Sequence, residues 1–340
     1  MDGMPTFELV HPTSVAQAAA LLAAPGARII AGGTDLVPNL RRGLEQPMTL
    51  VDLGGIAALG TLAQQDGTFT IGAGVTLARL ASDPRIAALH PAIAQAAVEI
   101  AAPAHRNAAT VGGNLCLDTR CVFYNQSAWW RAANRWCLKR GGDTCHVAPQ
   151  GARCHAAFSG DLAPALLVAD AEAELASARG ARRIPLAGLY RDDGAAHLTF
   201  APGEMLVAVH LPRPASGTVS GYRKARVRGS FDFPLAGVAV ALARDGDRDD
   251  GPIAQLRVAL TGTNSHPLLL AGTDALVGRA IDDETLALLG KRVAKQVSPM
   301  RTTVTASNYR RQVASVLAQR LLRDLAAGGR AQPREEPPCD

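Results

Sequence analysis

Four of the six cysteines in this 340-residue chain, Cys121, Cys137, Cys145 and Cys154, share one stretch, and Cys116 stands just before them. Thiolates are soft donors, so such a set suits zinc, an iron–sulfur cluster or a disulfide staple. No pair forms the CxxC knuckle of structural zinc sites. A plant-type CxxxxCxxC run begins at Cys116 and Cys121 and fails at Tyr124. His146 and His155, each beside a cysteine, are alternative zinc ligands. Phe123, Tyr124, Trp129, Trp130 and Trp136 suit a cluster shielded by an apolar loop. Spacing alone leaves iron–sulfur and zinc open. Disulfides fall behind them in a reducing compartment.

A second chemistry lies in two glycine loops. ARIIAGGTDL (27–36) reads as an apolar strand, a Gly-Gly turn and a new helix. Gly32 and Gly33 allow close backbone approach, and their N–H groups, the Thr34 hydroxyl and the helix start form an anion nest. ATVGGN (109–114) repeats the logic, with Thr110 and Asn114 as side-chain donors. Either loop alone is also what a tight turn looks like, but two of them could clamp both ends of one pyrophosphate. GAGVTL (72–77) lacks the third glycine of a dinucleotide fingerprint, and no P-loop lysine motif occurs, so a Rossmann NAD site and an ATPase are disfavoured.

The elements that must hold these loops are those of an α+β protein. With 48% hydrophobic residues the chain has ample core. No window is apolar enough to span a bilayer, and no basic-then-apolar leader opens the sequence, so a cytoplasmic location is expected. A net charge of +5 invites a nucleic-acid partner, but no run interleaves that charge with stacking aromatics, so neither nucleic acid nor membrane is expected. Periodicity predicts an α/β region over 1–190, with lobes 1–57 and 58–190 and a cysteine insert at 118–157. A C-terminal α+β domain over 195–326 follows, with strands at 196–200, 204–212, 235–246 and 253–263, the last two joined by a GDRDDG hairpin turn (246–251). A helix near 307–326 carries Val313, Val316, Leu317 and Leu321 as an apolar stripe flanked by Arg310, Arg311 and Arg320, and 327–340 reads as a frayed tail.

AGGTD, ATVGGN, GDLAPALLVADAE (160–172) and YRKARVRGSFDFPLAGVAVAL (222–242) follow one another in the order of the FAD-binding medium subunits of xanthine dehydrogenase-type molybdenum enzymes. The resemblance runs from about Phe7 to Leu322. It implies a two-lobed α/β FAD-binding domain followed by an α+β C-terminal domain with an antiparallel sheet. By that likeness FAD would lie along Ile29, Ile30, Ala31, Gly32, Gly33, Thr34, Asp35 and Leu36 in the first loop, and along Ala109, Thr110, Gly113 and Asn114 in the second. Asp161 would contact the cofactor, with Leu206 and Lys224 lining its pocket. A plain helix N-cap is the ordinary role for Asp161.

Most of that family passes directly from GGN to the GD motif, whereas here the cysteine insert intervenes. NLCLDTRCVFYNQSAWWR followed by CLKRGGDTCHVAPQGARC resembles the β subunits of 4-hydroxybenzoyl-CoA reductases, in which such an insert holds a 4Fe–4S cluster. Cys121, Cys137, Cys145 and Cys154 fall on its ligand positions. Cys116 reads as a small residue beside the flavin loop and Cys339 as incidental. The resemblance implies an electron-transfer subunit that takes electrons from ferredoxin through the cluster to FAD. They would pass on to a 2Fe–2S small subunit and a molybdenum-cofactor large subunit, for reductive dehydroxylation of an aromatic acyl-CoA in anaerobic aromatic degradation. No catalytic constellation is expected in this chain itself. The alternatives are the FAD subunit of a hydroxylating molybdenum enzyme and a stand-alone FAD- or metal-binding module.

Overall fold

The computed structural model describes residues 4–229, 231–246, 251–302 and 305–328. In the first lobe β1 (Glu8–Val10), α1 (Val15–Leu22), β2 (Ala27–Ile30), α2 (Leu36–Arg41) and β3 (Thr49–Asp52) build a three-stranded parallel sheet in the order β1-β3-β2. Ser14 caps α1 by accepting from the Gln17 N–H, and Ala18 and Ala19 turn inward, small enough to seat the helix against the sheet.

The second lobe runs through β4 (Leu62–Gln65), β5 (Thr68–Gly72), α3 (Leu77–Ser82), α4 (Pro84–Leu89), α5 (Pro91–Glu99), α6 (Pro103–Ala108) and α7 (Val111–Leu115). The insert contributes α8 (Ala128–Ala133), and α9 (Leu162–Val168), β6 (Glu172–Ser177), β7 (Gly180–Pro185) and β8 (Met205–Leu211) complete the lobe. Its five strands form an antiparallel sheet in the order β4-β5-β8-β6-β7.

Here the sequence expectation needs correction. Residues 204–212, grouped by patterning with the C-terminal sheet, supply β8, the central strand of the second lobe. Both faces of β8 are covered, and Met205 also packs into the first lobe's core beside Ala27 and Val51. Alternation along one strand does not say which sheet it joins. The strand expected at 196–200 reduces to a single bridge between Tyr190 and Leu198.

The C-terminal domain has β9 (Val219–Ala225), β10 (Ala236–Arg244), β11 (Ile253–Thr261) and β12 (Leu268–Leu269), in the antiparallel order β12-β11-β10-β9. The expected hairpin is present, with Gly237 opposite Thr261 and Leu242 opposite Leu256, while residues 247–250 of its turn lie outside the described residues. Val238, Val240 and Leu242 face α10 (Asp283–Gln296) and α11 (Ser307–Ala326). The alternate positions Ala239 and Ala241 face the second lobe, where small side chains let α9 come close. The buried face of α11 overlaps the expected stripe, since Leu321 is buried and Val313 and Leu317 pack against the core, but it is centred elsewhere. Arg310, Ala314, Ala318, Leu321, Leu322 and Leu325 are buried, and Val316 is exposed. The Arg310 guanidinium, expected at the surface, donates to the carbonyls of Leu235, Met300 and Gly262, tying both ends of the β10–β11 hairpin to the helix.

Two buried histidines make the domain acid-sensitive. Burial holds the imidazoles of His90, packed edge-on to Phe69, and His197 down to about 4 from an ordinary 6.5. Between those values the unfolded chain binds protons that the folded chain refuses. Stability is therefore full above 6.5 and falls as pH drops toward 4. The expected loss is roughly 2 kcal/mol per histidine by about pH 5, from the linkage slope. His90→Gln should remove about half of it in urea titrations at about pH 7 and pH 5. An unchanged pH slope in that variant would refute the assignment.

Candidate functional site

The two glycine loops, far apart in sequence, touch. A Cβ built on Gly32 would sit 1.9 Å from the Ala108 carbonyl oxygen, so only glycine lets the first loop lie against the backbone that leads into Thr110. Gly33, at φ +69°, then turns the chain into α2. Together the loops floor a cleft of about 1230 Å³ between the two lobes and the C-terminal domain. That exceeds the roughly 300–1,000 Å³ of ordinary ligand pockets and suits a long dinucleotide. Every residue expected at the flavin lines this one cleft: Ile29 to Leu36, then Ala109, Thr110, Gly113 and Asn114, and with them Asp161, Leu206 and Lys224.

Their hydrogen bonds refine the expected roles. Thr110 caps α7, its hydroxyl oxygen accepting from the Gly113 N–H at 3.1 Å, which leaves the hydroxyl hydrogen to donate elsewhere. The Asn114 side-chain oxygen Oδ1 accepts from the Leu162 N–H at 3.1 Å, so Asn114, not Asp161, caps α9. The Asp161 carboxylate is turned away from the helix. It accepts from the Tyr222 hydroxyl at 2.5 Å and the Lys224 ammonium at 2.9 Å, and Lys224 also donates to the Glu99 carbonyl. Burial pushes the Asp161 carboxyl above its ordinary range, with Lys224 and Tyr222 pulling the other way. Asp35 also has a partner: it accepts from Arg120 at 2.7 Å and from Asn39 at 3.0 Å.

The four insert cysteines come together. Cys121, Cys137, Cys145 and Cys154 are all buried and line one small cavity with Phe123, Tyr124, Leu138, Val147 and Ala156. All four, and Cys116, are free thiols, so the disulfide reading finds no support among the described residues. Burial pushes the Cys154 thiol up to about 11 and raises Cys121 too, so a metal would bind there by displacing protons. Backbone N–H groups already point at the sulfurs, Tyr124 to Cys121 at 3.2 Å and Ala156 to Cys154 at 3.4 Å, as sulfurs held as thiolates require. Among the described residues no three His, Cys, Asp or Glu side chains are gathered as a single-ion site. His146 borders the cavity, but its Nε2 is engaged by the Trp136 carbonyl at 2.6 Å; His155 is not part of the cavity wall. The tryptophans shield less than expected. Trp129 is 78% exposed, and Trp130 packs outside the wall against Phe123. Cys116 lines the large cleft instead, where burial raises its thiol to about 12, and Cys339 lies outside the described residues.

Residues 5–214 match the family profile of the FAD binding domain in molybdopterin dehydrogenase, and residues 220–325 that of the CO dehydrogenase flavoprotein C-terminal domain. The chain belongs to the FAD-binding medium subunits of the molybdenum hydroxylase family. The aldehyde oxidoreductase FAD-binding subunit PaoB of Escherichia coli is 32% identical, over 92% of this chain and 97% of that protein. The carbon monoxide dehydrogenase medium chain of Hydrogenophaga pseudoflava is 28% identical, over 94% and 96%. In a solved structure of the Hydrogenophaga pseudoflava carbon monoxide dehydrogenase, one chain superposes with a TM-score of 0.78 at 25% identity, covering 95% of this chain and 98% of that one. As in the rest of this oxidoreductase family, FAD is the cofactor the first domain serves. Among the described residues no helix is long and apolar enough to cross a membrane.

For a flavoprotein subunit of this kind, residue-type reasoning missed several residues in or behind the cleft wall. Tyr222, the buried partner of Asp161, was readable, because it stands two residues before Lys224 on β9 and so shares its face. Lys139 and His197 line the cleft without any local signal, and Arg120, at the neck of the insert, bonds the side chain of the cleft residue Asp35.

Proposed function

We propose that this chain is an electron-transfer subunit carrying both FAD and a 4Fe–4S cluster, in a complex resembling the 4-hydroxybenzoyl-CoA reductases. The observation that carries the reading is the small cavity walled by four buried cysteines, all from the insert. Four buried thiols around one small space, with no disulfide among them, offer the all-thiolate ligand set of a 4Fe–4S cluster. The flavin would supply exchange of electrons singly or in pairs, and the cluster one-electron transfer at low potential. The protein's own work is binding and orientation. Gly32 and Gly33 would bring backbone N–H groups to the pyrophosphate, Thr34, Thr110 and Asn114 would offer side-chain donors, and Lys224 with Asp161 fixes charge in the cleft wall.

In this reading electrons enter from ferredoxin at the insert and leave toward a 2Fe–2S small subunit and a molybdenum-cofactor large subunit, for reductive removal of a phenolic hydroxyl from an aromatic acyl-CoA. The second reading is a hydroxylating or dehydrogenating complex with electrons flowing outward. Relatives named as a nicotine 6-hydroxylase medium subunit and a nicotinate dehydrogenase FAD-subunit favour it. Anaerobic isolation tests the proposal: one FAD, about four irons and acid-labile sulfide per chain are expected. One zinc without sulfide would refute the cluster. In the same preparation Thr34→Val and Asn114→Ala should each weaken FAD by about one to two orders of magnitude, the loss of one charge-assisted bond. Only Asn114→Ala should also lower stability, by about 1 kcal/mol, because it uncaps α9. Unchanged affinity in both would move the pyrophosphate elsewhere.

A further inference from the structure

We propose that Arg120 is a positioning residue that makes flavin affinity depend on whether the thiol cavity is filled. This rests on the reading that the cavity holds a metal group. Arg120 directly precedes Cys121, and its backbone closes the neck of the insert. Its N–H donates to the Ala157 carbonyl at 2.9 Å, and the Ala157 N–H donates back at 2.8 Å, just beyond Cys154. Two of the four thiols therefore hang from the neck itself. From there the guanidinium, its side chain only 13% exposed, leaves the insert and reaches the flavin loop. It donates to Asp35 Oδ1 at 2.7 Å and to the side-chain oxygen of Asn39, while Asn39 Nδ2 donates to Asp35 Oδ2 at 3.0 Å and closes the ring. Asn39 is 2% exposed, so this ring has few alternatives in water.

A second strut runs the same way. Arg140, in the turn after Cys137, donates to the carbonyls of Gly43 and Leu44, and Leu44 packs against Cys121 and Cys154. Tyr124 and Lys139 stand in the wall of the thiol cavity and of the flavin cleft alike. Residues 31–44 are thus held on one side by the insert, through Asp35, Asn39, Gly43 and Leu44, and present AGGTD (31–35) to the cleft on the other. A group bound by Cys121 and Cys154 pins both strands of the neck. Removing it leaves a lined void whose walls relax, and the Arg120–Asp35–Asn39 ring shifts with the neck. By linkage, bound flavin favours the filled cavity to the same degree.

The test is a double-mutant cycle on FAD affinity, read by flavin fluorescence with the full chain, with iron and sulfide measured in every preparation. Cys137→Ser, which empties the cavity without touching the neck, should weaken FAD roughly tenfold, the scale of one charge-assisted hydrogen bond. Arg120→Gln should do about the same with its metal retained, and the double variant should be no weaker than either, because one path is cut twice. Arg120→Lys, which keeps the charge, should recover part of the loss. Should Arg120→Gln not fold, Asn39→Ala opens the same ring and must show the same non-additivity. Multiplying losses overturn the proposal, since two independent structural defects add in free energy. A metal-loaded chain whose flavin affinity ignores Cys137→Ser also overturns it and leaves the cluster reading standing. A wild-type chain with FAD and no metal sinks both.

Discussion

If the cluster is the electron inlet proposed above, Cys137→Ser should abolish reduction of the assembled complex by a low-potential donor such as ferredoxin, while oxidation of reduced substrate by artificial acceptors should stay within about twofold of wild type when FAD is in excess. Excess flavin matters because the insert grips the flavin loop through Arg120, so an empty cavity is expected to loosen the cofactor as well as to cut the inlet. Cys137 is the variant of choice because Cys121 and Cys154 flank the neck and would disturb the Arg120–Ala157 bridge directly. If the four cysteines are only a staple, both half-reactions fall in parallel with thermal stability, and saturating flavin rescues neither. Parallel loss would remove the reason for preferring a reductase to a hydroxylase.

Lys224→Met should destabilise the chain by about 3–5 kcal/mol and strip it of flavin, because a buried carboxylate then lacks its cation. The side chains of Lys224 and Asp161 are 1% and 5% exposed, so water cannot replace the partner. Asp161→Asn on top of Lys224→Met should recover more than half of the stability but not the flavin. The pH dependence has a definite sign. An acid whose folded pKa is raised carries no penalty when both states are protonated, and the penalty grows as pH rises through the ordinary carboxylate range. The gap between Lys224→Met and wild type should therefore narrow on acidification in urea titrations. A gap independent of pH would mean that Asp161 is neutral in the folded protein and that Tyr222, not Lys224, governs it.

Much of the site was legible because its residues have unusual local duties. Gly32 is required where any Cβ would strike the Ala108 carbonyl, and a strand–Gly-Gly–helix string announces that need without a structure. The cysteines were legible as a set, although their partners were not: Trp129 reads as a shield and lies in solvent, whereas Leu44, from another lobe, helps close the cavity's apolar surround. Helix α11 shows a similar limit. Its helical period and most of its apolar stripe were plain, since Val313, Leu317 and Leu321 meet the core, but the burial of Arg310 against the carbonyls of the hairpin ends was not.

What the chain determines by itself is local chemistry and period: the two phosphate-type loops, the four thiols, the β10–β11 hairpin and the family to which these motifs belong. Only the tertiary structure decided partnership. It moved Met205–Leu211 into the middle of the second lobe's sheet, because a strand's alternation specifies its faces and not its neighbours. It passed the α9 cap from Asp161 to Asn114, freeing the carboxylate for Tyr222 and Lys224. It also joined two sites that are separate along the chain, since a guanidinium at the neck of the insert finds its carboxylate eighty-five residues away in sequence and 2.7 Å away in space. Such pairings depend on where whole elements come to rest, which no window of sequence contains.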